Sequence, residues 1–273
     1  MRRMTDEADW SQAADPARRI GRSVEFHPEI GSTNDRARAA LAEPYGEGLA
    51  VVADVQTAGR GRRGRGWLSP PGVNLMVSVA LRPRVQPELS SLLGLAAALA
   101  VRDACAAVAP SAGLAIRWPN DLVDRDGLKV AGILIETVLA EGRLVEAVIG
   151  IGINANWSRD EMPAEIAERA TSLMSLTGGP IDRPALLGRL LTALDGEIQA
   201  LERGQGPIQR ARAASWLEGR DVEVDLGGHT VAGHVAGLGD DGSLLVDTAE
   251  GRIALAIGEV VRVMDPAPVG VSQ

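Results

Sequence analysis

Two apolar runs, 129–139 (KVAGILIETVL) and 144–154 (LVEAVIGIGIN), are joined by the turn-forming tetrapeptide AEGR. This pattern predicts a long β-hairpin, and so antiparallel pairing in the middle of the chain. Further strands are expected at 49–56 and 74–83, and a short one at 115–118 that ends in PND. A long Ala/Leu-rich helix is expected over 88–108, with two more at about 182–203 and 207–217. After Gly219 the texture changes. Short alternating runs (DVEVDL, TVAGHVAGL, SLLVDT, RIALAI, EVVRV) are separated by GG, DDG and AEG turns, which suggests a small β-barrel. The expected organisation is a leader over 1–23, an α/β or α+β body over 24–217, and a barrel-like domain over 219–265. The leader is read as disordered or loosely attached.

Composition narrows the function. The 273 residues carry a net charge of −8, against sequence-independent nucleic-acid binding. The single cysteine, Cys105, lies in an apolar run and rules out an internal disulfide or a Cys-based zinc site. His27, His229 and His234 show no metal-ligand spacing. The charged N-terminus lacks the apolar core of a signal peptide. The longest apolar stretch, 92–101, reads as too short to cross a bilayer. A soluble, cytoplasmic protein is expected.

In this acidic chain the segment Gly59-Arg60-Gly61-Arg62-Arg63-Gly64-Arg65-Gly66-Trp67 gathers four arginines. Arginine offers forked donors for carboxylate and phosphate, and the interleaved glycines allow close backbone approach to an anion. The glycines also fit G-x-G-x-x-G, but the following WLSPPG cannot continue a helix, so a dinucleotide fold is not indicated. An RNA-binding arginine–glycine segment is disfavoured by the acidic charge and the scarcity of stacking aromatics. Lys129 is the one lysine among 28 basic residues. A compact ammonium is required where a planar guanidinium will not serve, so Lys129 is a candidate catalytic cation. In GIGINAN, Gly150, Gly152, Asn154 and Asn156 share one strand face, leaving room for a flat ligand. Ser32 or Thr33 suits a helix N-cap, with backbone N–H groups pointing at whatever sits there.

The loop GRGRRGRGW, then RWPNDL at 117–122, LKVAGILIE at 128–136 and GIGIN at 150–154, in this order, resemble the biotin–protein ligases. Ser32-Thr33-Asn34, Gln56 and ATSL at 170–173 fit flanking elements, and the similarity covers roughly residues 24–265. The resemblance implies an α+β fold: a mixed β-sheet with helices packed on one side, and an SH3-like β-barrel C-terminal domain. It implies that biotin and ATP form biotinyl-5′-AMP, whose acyl group passes to a lysine of a biotin carboxyl carrier domain. By motif match, Ser32, Thr33, Asn34 and Gln56 would hold the ureido ring. Gly59, Arg60, Gly61, Arg62 and Gly132 would complete the biotin site, and Lys129 would reach both the biotin carboxylate and the α-phosphate. Arg62, Arg65, Trp67, Asn120, Lys129 and Asn154 would meet the nucleotide. Lys129, Arg62 and Asp121 are the candidate catalytic residues, Asp121 as orienter or acceptor of the incoming lysine's proton.

Mg²⁺ would arrive with ATP, with no metal site in the protein. Arg117 stands where the family usually has lysine. Only some 23 residues precede Val24, too few for the winged-helix repressor domain of many relatives, so a DNA partner is not expected. Neither is a membrane, and the chain would act as monomer or homodimer. Two family-related alternatives, a lipoate–protein ligase and a biotin-sensing repressor, are disfavoured by the arginine loop and the short N-terminus respectively.

Overall fold

The computed structural model describes residues 9–264. Strands Val24–Ile30 (β1), Ala50–Gln56 (β2), Leu75–Leu81 (β3), Ala115–Arg117 (β4), Asp121–Val123 (β5), Lys129–Ala140 (β6) and Arg143–Ile153 (β7) form one sheet in the order β1-β2-β3-β7-β6-β5-β4. β1 and β2 are parallel, and the remaining neighbours are antiparallel. The helices are Thr33–Ala40 (α1), Leu93–Val108 (α2), Ala164–Ala167 (α3), Leu173–Thr177 (α4), Arg183–Glu202 (α5) and Ile208–Ala213 (α6). A second, wholly antiparallel sheet follows, from Asp221–Asp225 (β8), Thr230–Leu238 (β9), Leu244–Thr248 (β10), Gly251–Leu255 (β11) and Glu259–Met264 (β12). Its order is β11-β10-β9-β8-β12.

Strand alternation separates the two faces of the main sheet. Leu75, Val77 and Val79 of β3 and Ile149, Ile151 and Ile153 of β7 pack with Leu99 of α2 and Leu190 and Leu194 of α5 in the principal core. On the opposite face Val51, Ala80 and Val148 meet Ala37 and Leu41, at α1. Helix packing is therefore concentrated on one side. The short α1 covers only part of the other side, and the rest of that face carries the candidate site.

Two expectations are corrected. Residues 9–22 are not a loose leader: Trp10 is buried and stacks on Phe26 with ring centroids 5.5 Å apart. The Ile20 N–H donates to Asp195 Oδ1 at 3.0 Å, fastening the segment to α5. These partners lie far along the chain, so the local pattern gave no sign of them. Residues 1–8 lie outside the described residues. The apolar stretch at 92–101 also belongs to a longer unit. Pro87–Val108 is a helical run of 22 residues, long and apolar enough to cross a membrane, and Gly94 does not break it. Most of it is buried, and its α2 portion packs against α5.

The second sheet is fixed to the body by long-range hydrogen bonds. Trp118 Nε1 donates to the Gly242 carbonyl at 3.2 Å, and Arg212 Nε to the Leu238 carbonyl at 2.8 Å. This docking brings the start of β12 to the rim of the cleft described next.

Candidate active site

The open sheet face forms a cleft of about 270 Å³. Its floor is set by register: Gly152 pairs with Met76 on one side and Gly132 on the other, and Gly150 lies between Ser78 and Leu134. Side chains pack directly over these glycines. A Cβ on Gly150 would stand 2.3 Å from Asn34 Oδ1, and one on Gly152 would stand 2.5 Å from the Trp67 ring. At Gly132 it would stand 2.8 Å from Lys129 Nζ.

One end of the cleft is neutral. The extended Ser32 starts α1 without a side-chain cap bond. Instead Gln56 Oε1 accepts from the Thr33 N–H at 2.8 Å, satisfying a helix-terminal donor from outside. Thr33 Oγ1 lies 3.0 Å from the same oxygen. Ser78 Oγ lies 2.7 Å from Thr33 Oγ1 and 2.6 Å from Asn34 Oδ1. Ser32, Thr33, Asn34 and Ser78 are all buried.

The other end is cationic. The loop 59–67 is a small hairpin of its own: Gly61 N–H donates to the Arg65 carbonyl at 2.6 Å and Trp67 N–H to the Gly59 carbonyl at 3.1 Å. Arg62 Nη1 donates to Asn120 Oδ1 at 3.2 Å and Nη2 to the Gly258 carbonyl at 3.1 Å. Burial lowers the Arg62 pKa, against the opposing pull of Glu259; a guanidinium remains charged at neutral pH regardless. Arg65 pairs with Glu259 at 2.6 Å, and Arg63 pairs with Asp225. Lys129 Nζ stands 5.5 Å from the Trp67 ring centroid and 2.6 Å from Asp121 Oδ1, while Arg117 takes Asp121 Oδ2 at 3.0 Å. Burial alone would raise the Asp121 carboxyl, but Lys129 and Arg117 outweigh it and hold the group below the ordinary carboxylate range.

The structure gathers Ser32, Thr33, Asn34, Gln56, Arg60, Gly61, Arg62, Arg65, Trp67, Asn120, Asp121, Lys129, Gly132 and Asn154 around this cleft. Gly59 is the exception. It sits at the neck of the loop, where its carbonyl accepts from Trp67. Three of these side chains have polar partners within the protein. Asp121 lies between Lys129 and Arg117, an arrangement in keeping with the orienting half of its expected role. The Arg60 fork is taken by Asp35 at 2.6 and 2.9 Å, which holds the Asp35 carboxyl below its usual range. Asn154 spends its Nδ2 on the carbonyls of Thr171, at 3.1 Å, and Lys129, at 3.3 Å, so it braces the lysine's backbone. The sequence reading missed Ser78, Arg169 and Glu259, which also line the cleft. Ser78 had a detectable signal, being the one hydroxyl inside the apolar strand NLMVSVALRP.

Residues 28–154 match the family described as biotin/lipoate A/B protein ligase. The chain is 36% identical over 248 residues to a biotin–[acetyl-CoA-carboxylase] ligase of Mycobacterium tuberculosis, covering 88% of this chain and 89% of that one. It is 35% identical to the bifunctional ligase/repressor BirA of Bacillus spizizenii over 85% of this chain and 71% of that protein. The chain belongs to the biotin protein ligases. The fold agrees: a biotin protein ligase from Aquifex aeolicus, solved in complex with biotin and ATP, superposes with a TM-score of 0.73 at 31% identity, covering 89% of this chain and 99% of that one. Among the described residues no cluster of three or more His, Cys, Asp or Glu side chains could hold a metal. Asp121 and Glu259, the carboxylates on the cleft wall, are each held by cations.

Proposed function

We propose that this ligase joins biotin to the acceptor lysine of a carboxylase's carrier domain through biotinyl-5′-AMP, in the cytoplasm. The observation that supports this best is the polarity of the cleft: a neutral pocket with hydrogen-bond acceptors at one end, the lone lysine with Arg62 and Arg65 at the other, and a side-chain-free floor between. The pocket suits a flat urea ring, and the cationic end suits two acids that repel each other. In the first step a biotin carboxylate oxygen attacks the α-phosphorus and the bond to pyrophosphate breaks. Lys129, oriented by Asp121, lies where charge develops on the reacting oxygens; Arg62, held by Asn120, neutralises phosphate charge. In the second step the neutral acceptor amine attacks the acyl carbon, AMP leaves, and the amine loses its proton. Trp67 over the glycine floor keeps the mixed anhydride from water.

The test is biotin-dependent exchange of labelled pyrophosphate into ATP, followed by transfer of biotin to a purified carrier domain. Exchange with biotin and none with lipoate is the expected result. Exchange supported by lipoate alone would overturn the assignment.

A further inference from the structure

Glu136 does not line the cleft, yet it controls a group that does. Asn34 Nδ2 donates to Glu136 Oε2 at 2.8 Å. A carboxylate only accepts, so this contact fixes which end of the Asn34 amide faces which way. Asn34 Oδ1 is thereby turned to the Ser78 hydroxyl at 2.6 Å and occupies the space a Cβ on Gly150 would need. Gln56 is oriented in the same manner, because its Oε1 must accept from the Thr33 N–H.

With both amides fixed, the hydrogens can be counted. Ser78–Asn34, Ser78–Thr33 and Thr33–Gln56 are three close oxygen–oxygen contacts. Ser78 and Thr33 supply one hydroxyl hydrogen each. Two hydrogens serve three contacts among these four side chains, so oxygen lone pairs stay unfilled along the row and can accept an N–H from a bound ring. Resting on the proposed function, we infer that Glu136 is a positioning residue that makes this pocket select for the ureido N–H groups of biotin. The neutral amide introduced by Glu136→Gln can donate as well as accept. Asn34 is then free to turn its NH₂ toward Ser78, and the shortage of hydrogens disappears. Arg38, at 3.3 Å, and Arg60, at 3.8 Å, pair with Glu136 without touching the Asn34 amide, so they serve to separate charge from orientation.

The experiment is calorimetric titration of Glu136→Gln with biotin and with a carbamate analogue in which one ring N–H is replaced by oxygen. Biotin affinity is expected to fall about tenfold, as one charged hydrogen bond is rearranged. The preference for biotin over the analogue should shrink, while kcat and the KM for ATP stay within about twofold. Arg38→Ala, which removes only a charge partner, should leave biotin affinity unchanged. The double variant Asn34→Asp/Glu136→Gln restores an acceptor-only group facing Ser78 and should recover affinity relative to Glu136→Gln. A Glu136→Gln protein with a lower melting temperature but unchanged biotin affinity and unchanged discrimination would overturn the assignment, as would failure of the double variant to recover. Absence of biotin binding in the unaltered chain would defeat the proposed function itself, a different result from normal binding in both proteins.

Discussion

At the Ser32–Asn34 end of the cleft the polar groups are neutral and buried, and they bond mainly to other dipoles; at the Arg62–Arg65 end they are charged, and Arg63 and Arg65 pair with carboxylates of the second sheet. Removing a partner from a buried hydrogen bond costs about 1–3 kcal/mol, whereas a partly exposed ion pair contributes about 0–1 kcal/mol and weakens in salt. The first end is therefore a preformed mould, and the second is held lightly enough that, on the proposed function, a polyphosphate would displace its carboxylates. Lys129 and Asp121 join the two regimes, as a charged pair that is only partly exposed.

Five measurements put this contrast at risk. Asp121→Asn should have the largest effect, about 3 kcal/mol of stability at neutral pH, because it removes the carboxylate that two half-buried cations share. The sign follows from the depressed carboxyl: its contribution is present above the ordinary aspartate value and is lost as pH falls through the lower folded value. The stability gap between wild type and variant, read from denaturant melts, should thus close below about pH 4. A gap that is independent of pH would mean the pair is not ionic in the folded protein. Lys129→Arg should reduce biotin-dependent pyrophosphate exchange at least about a hundredfold, the loss typical of one transition-state contact; undiminished exchange would make the lysine a bystander. Gly152→Val, which forces Trp67 off the floor, should weaken ligand binding by about 2 kcal/mol, roughly thirtyfold, in calorimetry. Ser78→Ala should weaken biotin about fivefold, equally at low and high salt. Glu259→Gln should lower the KM for ATP about twofold at low salt only, because it frees Arg65. Equal salt sensitivity of the last two variants would erase the contrast between the ends.

Much of this architecture was readable in advance. The β6–β7 hairpin announces itself because both strands are long and apolar and a short turn, Glu141-Gly142, separates them. The second sheet is visible for the same reason, in short alternating runs set off by glycine turns. What escaped was non-local. β1 pairs in parallel with β2 across an intervening helix, and no short-range pattern encodes that register. Trp10 shows its role only once Phe26 lies beside it. Within the site, the arginine loop and the lone lysine stand out by composition. Glu136 and Glu259 do not: each is one acidic residue in an acidic chain, and each gains its role from a neighbour more than 100 residues away along the chain.

The solitary lysine has a practical consequence. Amine-directed reagents can mark this protein only at Lys129 and at the chain's α-amine. Because the Lys129 ammonium sits inside the cleft against Asp121, the extent of such labelling, read by intact mass, becomes a direct gauge of cleft occupancy, with no other ε-amine to blur the signal.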